Sequence, residues 1–101
     1  MLIFRIFGAG EWGLAVANHL SLNNNVEVYL RDKEKIELYK KQKADKGLGF
    51  TFNDNISFYD INSPININLV GAENFINIIA SSSSGFVSII ENNLDYFKSF
   101  N

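Results

Sequence analysis

The chain has 101 residues, 47% of them apolar, enough for one compact domain and too few for a cofactor domain plus a separate substrate domain. Nine basic against eleven acidic residues leave a formal charge of -2, which excludes a global attraction to nucleic acid or to an anionic membrane. The absence of cysteine excludes disulfides, thiolate catalysis and cysteine-ligated metal sites, and it is compatible with a reducing cytoplasm, the expected location.

Residues 2–7 form a near-continuous apolar run that ends at Gly8, the pattern of a strand buried on both faces in a parallel sheet. Arg5 interrupts this run, and with the Gly-rich turn behind it the segment is too short and wrongly flanked for a secretory signal. No later apolar run approaches the ~18 residues of a membrane span. From residue 11 to residue 22, Trp12, Ala15, Val16 and Leu20 recur at three- and four-residue spacing, which predicts a helix with its exit at Asn23-Asn24-Asn25. Residues 26–30 follow as a second strand. A strand, a crossover helix and a parallel strand within about thirty residues make the right-handed unit of nucleotide-binding sheets.

Asp32 is placed to cap a second helix over residues 33–46, whose thin inner face is Ile36, Tyr39 and the alkyl stem of Lys43. Seven of the nine basic residues fall in residues 31–46, interleaved with Glu34, Glu37 and Asp45. That pattern reads as a solvated helix face rather than a nucleic-acid site. Gly47 and Gly49 mark a turn, and residues 56–58 alternate as a third strand. Residues 64–70 read as a short helix started by Ser63-Pro64 or, from their Ile-Asn alternation, as a strand. Residues 75–80 form a fourth strand. The run Ser81-Ser82-Ser83-Ser84 is then either a flexible turn or a loop alongside a ligand, before a helix carrying Phe86, Ile90 and Phe97. The fourteen asparagines read as compositional background. The expected fold is a Rossmann-like, doubly wound α/β parallel sheet of about four strands, a single dinucleotide-binding domain over residues 1–101 and a fragment of a larger enzyme.

The chemistry concentrates in Gly8-Ala9-Gly10-Glu11-Trp12-Gly13. A pyrophosphate must be met by unpaired backbone N–H groups, and the first turn of a helix offers these together with a positive dipole end. Gly8 permits the tight turn, Gly10 lets the backbone approach the phosphates, and Gly13 lets the helix pack on the first strand. The competing reading, a tight strand-to-helix turn and nothing more, leaves the complete strand, helix and strand context unexplained. At the tip of the second strand, Asp32 is either a helix cap or the acid that holds the 2'-hydroxyl of NAD. Arg31 is either a solvated charge or the partner of the 2'-phosphate of NADP. His19, the one histidine, has no second ligand or nucleophile at useful spacing and reads as structural.

At these residues the sequence resembles the amino-terminal domain of NAD(P)-dependent glycerol-3-phosphate dehydrogenase. That family has Gly-Ala-Gly, then Ser, then an aromatic that is usually Trp, then Gly; the chain matches except at Glu11. Ala17-Asn18-His19-Leu20, the strand ending in Arg31-Asp32, Asp54-Asn55-Ile56 and residues 76–83 extend the likeness, which is strong over residues 1–37 and looser beyond. The combination of Trp12 with Arg31-Asp32 argues against a ketopantoate or hydroxyacid reductase. The resemblance implies cofactor contacts from Glu11, Trp12 and Arg31 besides the glycines, and hydride transfer between NAD(P)H and dihydroxyacetone phosphate or glycerol 3-phosphate, in glycerophospholipid precursor synthesis. It places the catalytic lysines and the substrate-phosphate site beyond the matched segment, so no catalytic residue is assigned and the small phosphorylated substrate belongs to a further domain. Departures from the family are Glu11 beside the pyrophosphate, Lys46-Gly47-Leu48-Gly49 in place of aromatic-Leu-Pro-Gly, and Ser81-Ser82-Ser83 in place of Val-Pro-Ser. A non-catalytic dinucleotide-binding or scaffold module is the alternative function, and a homo-oligomer is compatible with either.

Overall fold

The computed structural model describes residues 3–8, 10–62, 75–80, 90, 91 and 94. Four strands, β1 (Ile3–Phe7), β2 (Asn25–Leu30), β5 (Ile56–Asp60) and β6 (Phe75–Ile79), form one parallel sheet in the order β5-β2-β1-β6. Helix α1 (Glu11–Leu20) links β1 to β2, and α2 (Lys33–Gln42) follows β2. A two-stranded hairpin, β3 (Ala44–Asp45) with β4 (Phe50–Thr51), stands between α2 and β5. Successive strands are laid to one side of β1, and the next is laid on its other side. The expected Rossmann-like α/β sheet is what the described residues form.

The pleat sorts the side chains onto two faces. On one, Ile6, Val26, Val28, Leu30, Ile56 and Phe58 meet Leu14 and Ala17 of α1 and Ile36 and Tyr39 of α2 in a single buried cluster. Tyr39 packs its ring against Phe52 and Phe58, each with centroids at 5.1 Å. On the other face Phe7, Tyr29 and Tyr59 stack across three neighbouring strands, at 4.9 and 5.3 Å.

That second face also holds a buried charge. Arg5, 2% exposed, donates from Nε to Glu27 Oε1 at 2.8 Å, directly across the β1–β2 register, and its guanidinium lies 3.7 Å from the centre of the Phe75 ring. Tyr29 donates to the same Glu27 oxygen at 2.7 Å. The interruption of the first apolar run is thus a cross-strand pair sandwiched by an aromatic ring, with the charge satisfied by contact rather than by solvent.

Helix α2 ends at Gln42, four residues earlier than its charge pattern predicts. Lys43 turns into the left-handed region at φ 51° and donates its N–H to Tyr39 O, so its stem does not join the inner face. Its ammonium instead pairs with Asp54. The reason lies in Tyr39: a buried phenol needs a hydrogen-bond partner, and Asp45 supplies one only if the chain reverses into the hairpin. Asp45 also accepts from Leu48 N at 3.0 Å and so shapes the turn through Gly49, at φ 78°. Helix α1 likewise stops at Leu20, two residues short of expectation, with Ser21 N donating to Ala17 O. The third sheet strand is longer than the three residues expected, running to Asp60.

The asparagines are not mere background. Asn55 Nδ2 donates to Ser21 O at 2.6 Å and to Asn24 O at 2.5 Å, Asn53 Nδ2 to Ser21 Oγ at 2.8 Å, and Asn18 Nδ2 to Thr51 O at 3.2 Å. Together they tie the end of α1 to the segment entering β5. The expectations for residues 64–70 and for the serine run lie outside the described residues. Residues 90, 91 and 94 are helical, as the last periodic segment predicts. Among the described residues no helix is long and apolar enough to cross a membrane.

Two predictions follow from these contacts. Arg5→Ala leaves Glu27 without its cation and should cost about 3 kcal/mol in chemical denaturation. Replacing both Arg5 and Glu27 by apolar residues of similar size should restore much of that loss. The second concerns pH. The hydrogen bond from Tyr39, followed by that from Leu48 N, lowers the Asp45 carboxyl below its ordinary value, while burial followed by the Asp45 contact raises the Tyr39 phenol. A lowered acid stabilises the fold above the usual carboxylate range, about 4, and loses that contribution as pH falls through its folded value. Asp45→Asn should therefore flatten part of the decline in melting temperature as pH falls below about 5.

Candidate dinucleotide site

The carboxyl ends of the strands lie side by side. Gly8 N donates to Tyr29 O at 2.9 Å, Ala80 N to Phe7 O at 2.8 Å, and Ile61 N to Leu30 O at 2.9 Å. The Gly8–Gly13 turn, the tip of β2 and the ends of β5 and β6 therefore share one edge. Because the order of strand addition reverses at β1, this edge contains the switch point where open α/β sheets bind ligands.

Gly8 leaves β1 at φ 111°, a conformation that side chains resist. Gly10 is the extended residue preceding α1, and its carbonyl accepts from Leu14 N at 3.0 Å. Among the described residues no side chain caps this helix start. Nor does a Cβ added at Gly10 meet any of them within 4 Å. A Cβ at Gly13 would stand 2.6 Å from Gly8 O and 3.2 Å from Ala80 Cβ. The third glycine is thus required by the seating of α1 on the end of β1. Glu11 and Trp12 are both exposed on the first turn, Trp12 to 62%.

At the tip of β2, Arg31 is exposed and Asp32 caps α2, its Oδ1 accepting from Glu34 N at 3.0 Å and Lys35 N at 3.2 Å. Beside it, Lys33 Nζ lies 3.9 Å from Asp60 Oδ2. The sequence reading did not single out Lys33, Asp60 or Ala80: Lys33 opens α2, Asp60 closes β5 and Ala80 follows β6, and only the strand order brings them to one edge. His19 sits exposed on the last turn of α1, at the helix end away from the Gly8–Gly13 turn. Among the described residues no three His, Asp or Glu side chains are grouped as a metal ion requires.

A helix start that no described side chain caps, reached through a glycine at positive φ, suits a pyrophosphate held by backbone N–H groups. The residues present therefore fit a dinucleotide. The glycines should separate on substitution. Gly13→Ala forces α1 away from a backbone oxygen and should cost about 2 kcal/mol of stability despite alanine's better helix propensity. Gly10→Ala should change stability by less than about 1 kcal/mol. Thermal or denaturant unfolding of the two variants checks this.

Comparison with known proteins agrees with the geometry. The family model described as the NAD-dependent glycerol-3-phosphate dehydrogenase N-terminus matches residues 4–94. A glycerol-3-phosphate dehydrogenase (NAD(P)+) from Wolbachia sp. subsp. Brugia malayi (strain TRS) is 40% identical over 53 residues, which cover 52% of this chain and 16% of that protein. No solved structure matches significantly. A parallel sheet with its glycine turn at the switch point, and a family match along nearly the whole chain, lead to one conclusion: the chain belongs to the NAD(P)-dependent glycerol-3-phosphate dehydrogenase family, within its amino-terminal, cofactor-binding domain.

Proposed function

We propose that these 101 residues form the dinucleotide-holding part of an enzyme that passes hydride between NAD(P)H and dihydroxyacetone phosphate or glycerol 3-phosphate, serving glycerophospholipid precursor synthesis in the cytoplasm. The observation that carries the reading is the contact of Gly13 with the Gly8 carbonyl, which seats an α1 start that no described side chain caps at the sheet's switch point. When bound, the cofactor supplies the hydride chemistry. The chain's own contribution is to bind and orient it.

In this reading the backbone N–H groups behind Gly10 take the pyrophosphate, and Gly8 keeps the approach clear. Trp12, on the exposed outer side of the first turn, covers the dinucleotide, while Arg31 and Asp32 meet its adenosine end. Glu11 offsets the positive end of α1 and opposes the pyrophosphate's charge, which lowers affinity relative to a hydroxyl at that position. The small phosphorylated substrate is held by a further domain, and homo-oligomerisation is compatible with this division of labour.

Titration of the chain with NADH and NADPH, followed by nicotinamide fluorescence, tests the reading. Saturable binding that Gly10→Arg abolishes supports it. No binding at millimolar concentration would favour the non-catalytic scaffold. The isolated chain should not reduce dihydroxyacetone phosphate, since the catalytic residues belong to the further domain.

A further inference from the structure

Strand β5 is an outer strand of the described sheet, with β2 on one side of it. Along its other side runs a cavity of about 290 Å³, lined by residues 56–59 in succession and by Lys40 and Lys43 at the end of α2, among others. Successive side chains point to opposite faces, so a cavity that touches all four follows the backbone edge of the strand. The ladder tells which backbone groups meet it. Val26 N donates to Asn55 O at 3.0 Å and Ile61 N to Leu30 O at 2.9 Å. By alternation Ser57 and Tyr59 also turn their backbone groups to β2, while Ile56, Phe58 and Asp60 turn theirs outward. Of these, Ile56 N is bonded to Asn53 O.

The charges along this edge are unequal at its two ends. Lys43 pairs with Asp54, two residues before β5, so the end of α2 lies at the amino end of the strand. Lys40 is exposed there, and among the described residues no acidic side chain stands within ion-pair distance of it. Asp60 closes the strand at the other end. Its Oδ1 accepts from Asn62 N at 2.9 Å, and its Oδ2 faces Lys33 Nζ at 3.9 Å, too far for a hydrogen bond. Edge lysines repel most strands that approach. A strand with an acid at its carboxyl end, arriving antiparallel, is attracted instead, and β5 is itself such a strand.

We propose that two copies of this chain associate through β5, antiparallel and about a two-fold axis at Phe58. This register pairs all five residues of the strand: Phe58 faces its own counterpart, Ser57 faces Tyr59, and Ile56 faces Asp60. The two Phe58 residues exchange N–H···O bonds, and each Asp60 N–H meets the Ile56 carbonyl of the second copy. Residues opposite one another in an antiparallel pair lie about 5 Å apart. Ile56 and Phe58 share the face that carries Ile36 and Tyr39 of α2, and Asp60 belongs to it by alternation. A two-fold axis normal to the sheet keeps that face common to both copies, so Asp60 of the second copy arrives beside Ile56 and within reach of Lys40. The symmetry makes this ion pair twice. On the opposite face Tyr59, 42% exposed, is covered by Ser57 of the second copy. The carboxyl edges of the two sheets then point in opposite directions, and the pairing does not depend on the dinucleotide reading.

Sedimentation of the full chain from micromolar to millimolar concentration at low salt should show a monomer–dimer equilibrium that added salt weakens. Lys40→Glu turns two attractions into two repulsions and should weaken association about tenfold or more, with the melting temperature of the dilute protein unchanged. Asp60→Lys should do the same, and an equimolar mixture of the two variants should associate again, because each then meets the opposite charge. Amide exchange locates the surface. The Phe58 amide should exchange more slowly as concentration rises, whereas those of Ser57 and Tyr59, already bonded to β2, should not change. A chain that stays monomeric to millimolar concentration overturns the proposal. So does a dimer that Lys40→Glu leaves intact, or one that leaves Phe58 exchange unaltered. If Asp60→Lys fails to fold, Lys40→Glu and the exchange of Phe58 decide between these outcomes.

Discussion

The approach of α1 to the end of β1 at Gly13 is the constraint on which the rest of the molecule depends. Because no side chain intervenes between Gly13 and the Gly8 carbonyl, the helix lies low over the sheet, and Leu14 and Ala17 on its next turns become fully buried. The same seating sets the first turn of the helix at the carboxyl end of β1, where the order of strand addition reverses. The packing of α1 on the sheet is therefore set by one contact. A bulkier residue there disturbs it, which is why a glycine is held inside a helix despite a propensity cost of about 1 kcal/mol.

The two edges of the sheet are built for different purposes. At the amino edge, Ser21, Asn24, Asn53 and Asn55 knit the end of α1 to the entry of β5 through side-chain amides that satisfy backbone carbonyls and the serine hydroxyl. At the carboxyl edge, polar side chains remain exposed, and among the described residues no side chain caps the start of α1. The hairpin belongs to the fixed side: it follows the far end of α2 and anchors Tyr39 through Asp45.

Where the determinants are local, the sequence was readable. The apolar runs of β1 and β2, the periodicity of α1, the glycine turn and the Asp32 cap each depend on residues within a few positions of one another, and they stand where their patterns put them. The hairpin was hidden because its cause is a pairing between Tyr39 and Asp45 that a charge pattern does not display, and because the residues around Lys43 look as helical as those before them. Arg5 was hidden for a related reason. Its partner Glu27 is 22 positions away and becomes visible only once the two strands are laid in register. In the candidate site the glycine motif was legible as a tight strand-to-helix turn, whereas the Lys33–Asp60 ion pair becomes visible only once the ends of β2 and β5 are neighbours.

Arg5 and Glu27 have a consequence beyond stability. Side chains alternate strictly along a strand, so sliding β1 by one residue against β2 exchanges the two faces. The guanidinium would then enter the cluster of Leu14, Val28 and Phe58, with no carboxylate opposite it. With apolar residues in place of Arg5 and Glu27, β1 and β2 would tolerate several alignments at little difference in energy. The ion pair makes the displaced alignments expensive, and so acts as a key that admits a single pairing of the two central strands.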